Sequence, residues 1–191
     1  MAGMTNRCCI GFLFSLLVFM TSCEKDDPVT FDPVISMEIG DATEGGIVFY
    51  LDESNEHGFV VSQEDIGEYP WGCFDLDIGS AADTSFGSGN ANTLAIAEAC
   101  WQPSIAATAC LEYEHEGYSD WFLPSRDELL MIYDSVGPGN QEIVTIDFSS
   151  SWYWSSTQVD EGYAFVVRFE GGWTAAFNKY TAYNVRPIRS F

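Results

Sequence analysis

Carboxylates, two histidines and six cysteines are the residues of this chain that could do chemistry. Asp75, Asp77 and Asp83 lie within a stretch broken by Pro70, Gly72, Gly79, Gly87 and Gly89. A calcium ion takes six to eight oxygen ligands, so these three acids are its weak candidates, and their ordinary role in a loop is to meet solvent. A pair of carboxylates could also cleave a glycosidic bond, which depends on a fixed separation between them. The sequence shows abundance of acids without that geometry. His57 falls in a predicted turn, and His115 sits among acids in Glu112-Tyr113-Glu114-His115-Glu116. Neither belongs to a nucleophile motif. No paired Cys-x-x-Cys spacing suggests a zinc site. A non-catalytic protein with no required cofactor is therefore expected, with a carboxylate-based hydrolase as the least favoured alternative.

The cysteines divide by position. Met1–Ser22 contains no acid and one base, Arg7, followed by the apolar run Ile10–Met20. Small residues then lead into Cys23, after which the chain becomes Glu24-Lys25-Asp26-Asp27-Pro28. This is the pattern of a signal peptide, with an apolar run too short for a permanent span. Met20-Thr21-Ser22-Cys23 resembles the lipobox of bacterial lipoproteins, with Met where an aliphatic residue usually stands. The resemblance implies that residues 1–22 are removed, that Cys23 carries the lipid and that residues 23–40 form a tether. Lys25-Asp26-Asp27 is similar to the acidic export tag of Bacteroidetes lipoproteins, which implies a lipid-anchored outer-membrane protein displayed on the cell surface.

Charge narrows the partners. Losing residues 1–22 removes Arg7 and no acid, so the net charge moves from −22 to about −23. Such a surface repels phosphate backbones and lacks the basic patch of a nucleic-acid binder. It also cannot dock electrostatically on anionic lipid. The membrane partner is met through the lipid. About 150 residues remain beyond the tether, enough for one domain with a real core. That domain, residues 41–191, contains no internal repeat or low-complexity tract.

Cys73, Cys100 and Cys110 stay in an oxidising compartment. Three thiols allow at most one internal bridge. Cys100–Cys110 is the first choice, because Pro103 breaks the helical run between them and lets the chain turn back. Cys73 with either of the others is the alternative.

The elements that must position these groups follow from period and punctuation. Ile47–Leu51 and Phe59–Val61 read as a hairpin across the turn 52–58. Residues 63–92 form a long structured loop containing Trp71-Gly72-Cys73. Asn92 reads as the N-cap of a helix through Cys100, and a second helical stretch runs from about Ser104 to Tyr113. Ser125 and Glu128 form a capping box. Leu129, Ile132, Tyr133 and Val136 follow at helical spacing, and Gly137-Pro138-Gly139 ends the helix. Trp152–Ser156 is a strand. Tyr163, Phe165, Val167 and Phe169 alternate along the next, and Trp173, Ala175 and Phe177 along its hairpin partner. A final strand spans about 183–189. Hairpin, loop, two or three short helices and a C-terminal antiparallel sheet make an α+β domain.

Gly45-Gly46-Ile47-Val48-Phe49-Tyr50, Gly117-Tyr118-Ser119-Asp120-Trp121-Phe122-Leu123-Pro124-Ser125, Tyr153-Trp154-Ser155-Ser156 and Val185-Arg186-Pro187-Ile188-Arg189 occur in this order. Together they resemble the family of the C-terminal domain of the Legionella collagen-like adhesin. The resemblance covers nearly all of residues 41–191 and implies a C-type-lectin-like fold and adhesion. The adhesin's collagen-like stalk is absent here, and the acidity of this chain opposes the sulfated polysaccharide that the adhesin binds. Trp121, Leu123 and Trp154 are expected in the core, Ser125 as a cap, and Arg186 and Arg189 in ion pairs. The expected function is a cell-surface binding module for a glycan or a surface protein. The alternative is a purely structural envelope subunit. Aromatic faces suit both sugars and protein interfaces, and the candidate patch is Trp173, Tyr180 and Tyr183.

Overall fold

The structure is a computed structural model that describes residues 36–143 and 146–191. The expected signal peptide, the expected lipidation site at Cys23 and most of the expected tether lie outside the described residues.

The fold is α+β, and the described residues form nine strands in two sheets and three short α-helices. β1 (Ala42–Thr43), β2 (Gly46–Leu51) and β3 (Gly58–Val61) form an antiparallel set that β9 (Ile188–Ser190) completes, in the order β1-β2-β3-β9. The expected hairpin is β2–β3, with Ile47 opposite Val61 and Leu51 opposite Gly58. The folded unit begins before residue 41. Gly40 N donates to Val48 O (2.8 Å), and Met37 and Ile39 pack against core residues of this sheet.

The second sheet has the order β4-β8-β5-β6-β7. β5 (Trp152–Gln158), β6 (Tyr163–Arg168) and β7 (Trp173–Asn178) form the expected meander, in register throughout β6–β7. Three features differ from the sequence reading. β4 (Gly67–Pro70) rises out of the long loop and pairs antiparallel with β8 (Ala182–Val185). β8 in turn meets β5 in parallel, at Tyr153 opposite Asn184. Neither pairing leaves a local pattern, because Gly67-Glu68-Tyr69-Pro70 has no alternation and the contact is set by distant chain. The single final strand expected over about 183–189 is two strands, because Arg186-Pro187 carries the chain from β8 in one sheet to β9 in the other.

α1 (Gly89–Ala99) and α2 (Ala106–Leu111) lie on one side of the second sheet, and α3 (Arg126–Ser135) contacts both sheets. The helix at Asn92 is real, but its start is a correction. Ser88 is the N-cap, and Asn92 is buried inside α1. Its Nδ2 donates to Asp83 O (2.7 Å), tying the long loop to the helix. A tertiary bond thus claims a side chain that reads locally as a cap. The capping box of α3 is present as expected. Glu128 N donates to Ser125 Oγ (3.2 Å) and Ser125 N donates to Glu128 (2.6 Å).

The core has two main parts. One gathers Trp71, Ile96, Ile105, Leu123, Trp154, Ala164 and Val166 between the second sheet, α1 and α2. The other gathers Phe49, Val61, Leu129, Ile132, Tyr153, Val167 and Phe169 under α3. β6 and the residue after it therefore bury side chains from both faces, Ala164 and Val166 on one and Val167 and Phe169 on the other, while Tyr163 is exposed. Trp121, Leu123 and Trp154 are fully buried, as expected. Each buried indole finds an acceptor: Trp71 donates to Ser155 O (2.9 Å), Trp154 to Tyr69 O (2.9 Å) and Trp121 to Tyr118 O (3.2 Å).

Arg186 and Arg189 are buried and paired. Arg186 meets Asp65 at 2.6 Å and also donates to the carbonyls of Ser62, Gln63 and Asp147. Arg189 forks onto both oxygens of Asp120 (2.6 and 3.0 Å). These scarce cations hold chain segments together.

Candidate functional site

The cysteine pairing corrects the first-choice expectation. The bridge is Cys73–Cys100, and Cys110 is a free, buried thiol. Cys110 lies inside α2, packed in the core with Trp71 and Ile105. Burial pushes its pKa well up, which keeps it protonated and unreactive. Cys100 is the C-cap residue of α1, where extended backbone turns the chain toward residue 73.

This bridge organises an exposed aromatic face. Gly72 has φ +103°, and a Cβ there would meet Ile105 Cγ2 at 2.5 Å, so only glycine fits between the loop and α2. Cys73 and Asp75 follow with φ of 44° and 67°, and Ser104 has φ 56°. Non-glycine residues in this region are strained and persist where surroundings hold them. The surroundings here are specific. Cys73 N donates to Gln102 Oε1 (3.2 Å), and Asp75 N donates to Glu161 O (3.0 Å).

Lys179 fixes the same loop from below. Its side chain is fully buried, and Nζ donates to Leu76 O (2.9 Å) and Gln158 Oε1 (2.7 Å) and lies 4.5 Å from the Trp71 ring centre. Gln158 also accepts from Ile78 N (2.8 Å) and donates to Asp77 Oδ1 (2.6 Å). Burial lowers the Lys179 pKa to about 8, while Asp160, Asp77 and Glu161 pull it upward.

On this support stand Trp101, 94% exposed, with Phe74 and Leu76. With Cys73, Gln102 and Pro103 they line a groove of about 460 Å³. Phe74 also borders a second hollow, of about 280 Å³, lined by Asp75, Asp160, Glu161, Gly162 and Tyr163. The Tyr180 ring packs 5.5 Å from Phe74 on the far side. A larger groove of about 670 Å³, bordered by Met37, Ile39, Tyr50 and Met131, begins at Ser36. It lies where the chain enters the domain.

The sequence-derived aromatic patch does not assemble as one surface. Trp173 and Tyr180 are each 68% exposed, but they stand at opposite ends of β7, about 20 Å of strand apart. Tyr183 is half-buried, edge-on to Trp154 (5.2 Å) and beside Phe177 (5.3 Å). Of the three, Tyr180 joins the disulfide-held face. Phe74, Leu76 and Trp101 are not among the residues that the sequence singles out. The usable signal was Trp101 itself, between Cys100 and Gln102-Pro103, where no helix or strand stripe could bury it.

The loop acids also separate. Asp77 is engaged with Gln158, and Asp83 accepts from Ser85 N (2.9 Å), which holds its carboxyl below the usual range. Among the described residues no group of three or more His, Cys, Asp or Glu side chains is placed to hold a metal ion. His115 stacks on Tyr113 at 6.0 Å, and His57 is exposed in the turn after β2.

The fold is similar to a crystal structure of a fimbrial protein from Bacteroides ovatus, with a TM-score of 0.53 at 15% identity. The match covers 79% of this chain and 45% of the fimbrial protein. No curated protein matches the chain. Residues 79–189, more than half of the sequence, match the Lcl C-terminal domain family, and the chain belongs to that family.

Proposed function

We propose that this protein is a non-catalytic, cell-surface binding module that recognises a glycan or a surface protein through the disulfide-held aromatic face. The carrying observation is Trp101, 94% exposed beside Phe74 and Leu76 on a loop immobilised by Cys73–Cys100. A large exposed indole on a rigid support offers contact area at little ordering cost, which is the usual make-up of a binding hot spot. Membership of an adhesin-related family and a fold shared with a fimbrial protein support a surface-associated role. The C-terminal strand closing on the N-terminal hairpin supports a C-type-lectin-like arrangement. The lipobox-like Cys23 supplies the outer-membrane anchor in this reading.

A second reading, an envelope assembly subunit, is favoured by one observation. β7 is an outer strand of its sheet, carries no charged residue within Trp173–Asn178 and begins with the exposed Trp173. Such edges pair with other chains.

The test is a glycan array and a surface-protein pull-down with the wild type and with Trp101→Ala. Trp101→Ala is expected to abolish capture while leaving the melting temperature within about 1 °C, since exposed positions contribute little to stability. Capture that survives the substitution would overturn the site. Cys23→Ala is expected to abolish lipid labelling, and unchanged membrane retention would remove the anchor.

A further inference from the structure

We propose that the aromatic face takes a cationic peptide segment, with a Lys or Arg head seated at Asp75 and Glu161 and an adjoining apolar residue against Trp101. This deepens the binding-module reading and rests on it. Two hollows meet at Phe74. One is walled by Cys73, Leu76, Trp101 and Pro103, and the other by Asp75, Asp160 and Glu161. One ring shared by both walls means that a ligand lying across Phe74 meets an apolar surface and an acidic one within a single residue or two.

The charges are free to act. Among the described residues, neither the Asp75 nor the Glu161 carboxylate forms a salt bridge. Asp160 is partly committed, since it accepts from Gly162 N and Tyr163 N (both 2.8 Å). Among the described residues the basic group beneath is Lys179, whose ammonium is turned inward onto Leu76 O and Gln158. Counting Asp75, Asp160 and Glu161 against Lys179 leaves the face two negative charges in excess. An exposed aromatic beside excess acid favours a cation doubly, through the ring face and through the carboxylates. The same field repels sulfated or carboxylated sugars. The long stem of Lys or Arg would lie along Phe74 while its head stays wet. A bare metal ion fits less well, because the acids do not converge on one point.

The experiment measures binding of the full chain, purified in detergent, to three short peptides at low salt. The first carries Leu-Lys-Leu, the second the same segment with the lysine acetylated, and the third Leu-Glu-Leu. The expected result is binding of the first alone. Acetylation should weaken it at least tenfold, Trp101→Ala should abolish it, and the pair Asp75→Asn with Glu161→Gln should weaken it about tenfold with the fold intact by circular dichroism. Raising salt from 50 to 500 mM should weaken the wild type more than the pair variant, which keeps Asp160 at the hollow. Equal binding of the lysine and acetyl-lysine peptides, or no effect of the pair variant, would overturn the cationic assignment and leave the aromatic face standing. Neutral glycan capture that depends on Trp101, with no peptide bound at millimolar concentration, would overturn it in the same way. Binding of no ligand class, or binding that Trp101→Ala leaves unaltered, would overturn both readings.

Discussion

Lys179 is the residue that most constrains the behaviour of the candidate site. A buried ammonium is costly unless its donors are satisfied, and here they meet Leu76 O, Gln158 Oε1 and the Trp71 ring. Burial still brings its pKa to about 8, against 10.5 for the free side chain. Between those values the unfolded chain binds more protons than the folded one. Stability should therefore rise as pH increases from 8 toward 10.5, by roughly 3 kcal/mol at most. Tyr153, whose phenol is pushed well up by burial, works in the opposite direction above about pH 10. Cys110 opposes it too, because burial keeps its thiol protonated while the unfolded chain's thiol ionises from about pH 8.5. The window from pH 8 to 9.5 is therefore read in a Cys110→Ala background. Urea unfolding across it should show a rising free energy for Cys110→Ala and a flatter profile when Lys179→Met is added. A Cys110→Ala profile that falls with pH would mean that the ammonium is better satisfied than its burial implies. Among the other buried ions, Arg186 and Arg189 were legible from scarcity alone. Six bases remain after Arg7 among 29 acids, so an acid lies within reach of a buried guanidinium. Lys179 was not legible, because nothing in Asn178-Lys179-Tyr180 distinguishes a buried turn lysine from a solvated one.

At the scale of elements, local signals and tertiary ones part company. Ser125 and Glu128 announce α3 because a capping box is satisfied within four residues. The β2–β3 and β6–β7 hairpins announce themselves by apolar runs on either side of a short turn. The cysteine pairing, β4 and the true start of α1 could not be read this way. Each is decided by a partner many residues distant: Cys73 for Cys100, Asn184 for Glu68, Asp83 O for Asn92. Trp101 escaped for the converse reason, since hydrophobicity predicts burial and offers no sign for a ring left outside. The bridge has a measurable weight. It closes a separation of 27 residues, which in a chain-entropy account is worth about 3.5 kcal/mol. Cys73→Ala with Cys100→Ala should lower urea stability by roughly that amount and, at the same time, weaken any ligand held at Trp101. The double change avoids leaving Cys100 free to pair with Cys110. Full stability without the bridge would mean that the Lys179 contacts alone hold the loop.

Over the whole molecule, the acid excess sets which partners can approach. With a net charge of −22, a polyanion meets repulsion over about 8 Å at physiological ionic strength. Arg186 and Arg189 are turned inward, and Arg168 is paired with Glu170, so no basic patch offsets it among the described residues. Heparin should therefore fail to bind at 150 mM salt, with or without calcium, in a direct binding assay. Salt-sensitive heparin binding would show a local basic pocket, and binding only with calcium would return Asp75, Asp77 and Asp83 to consideration. The placement of the bridge has one more consequence, for a molecule pulled between its N-terminal end and a ligand at Trp101. The first contacts to carry that tension are Gly40 N to Val48 O and the two residue pairs of β1 with β2. They can peel one after another. The 27-residue span from Cys73 to Cys100 cannot pay out, which withholds roughly 90 Å of slack from the stretched chain. Under such a load, the contacts at the N-terminal end yield first, and the bridged loop that carries Trp101 keeps its shape.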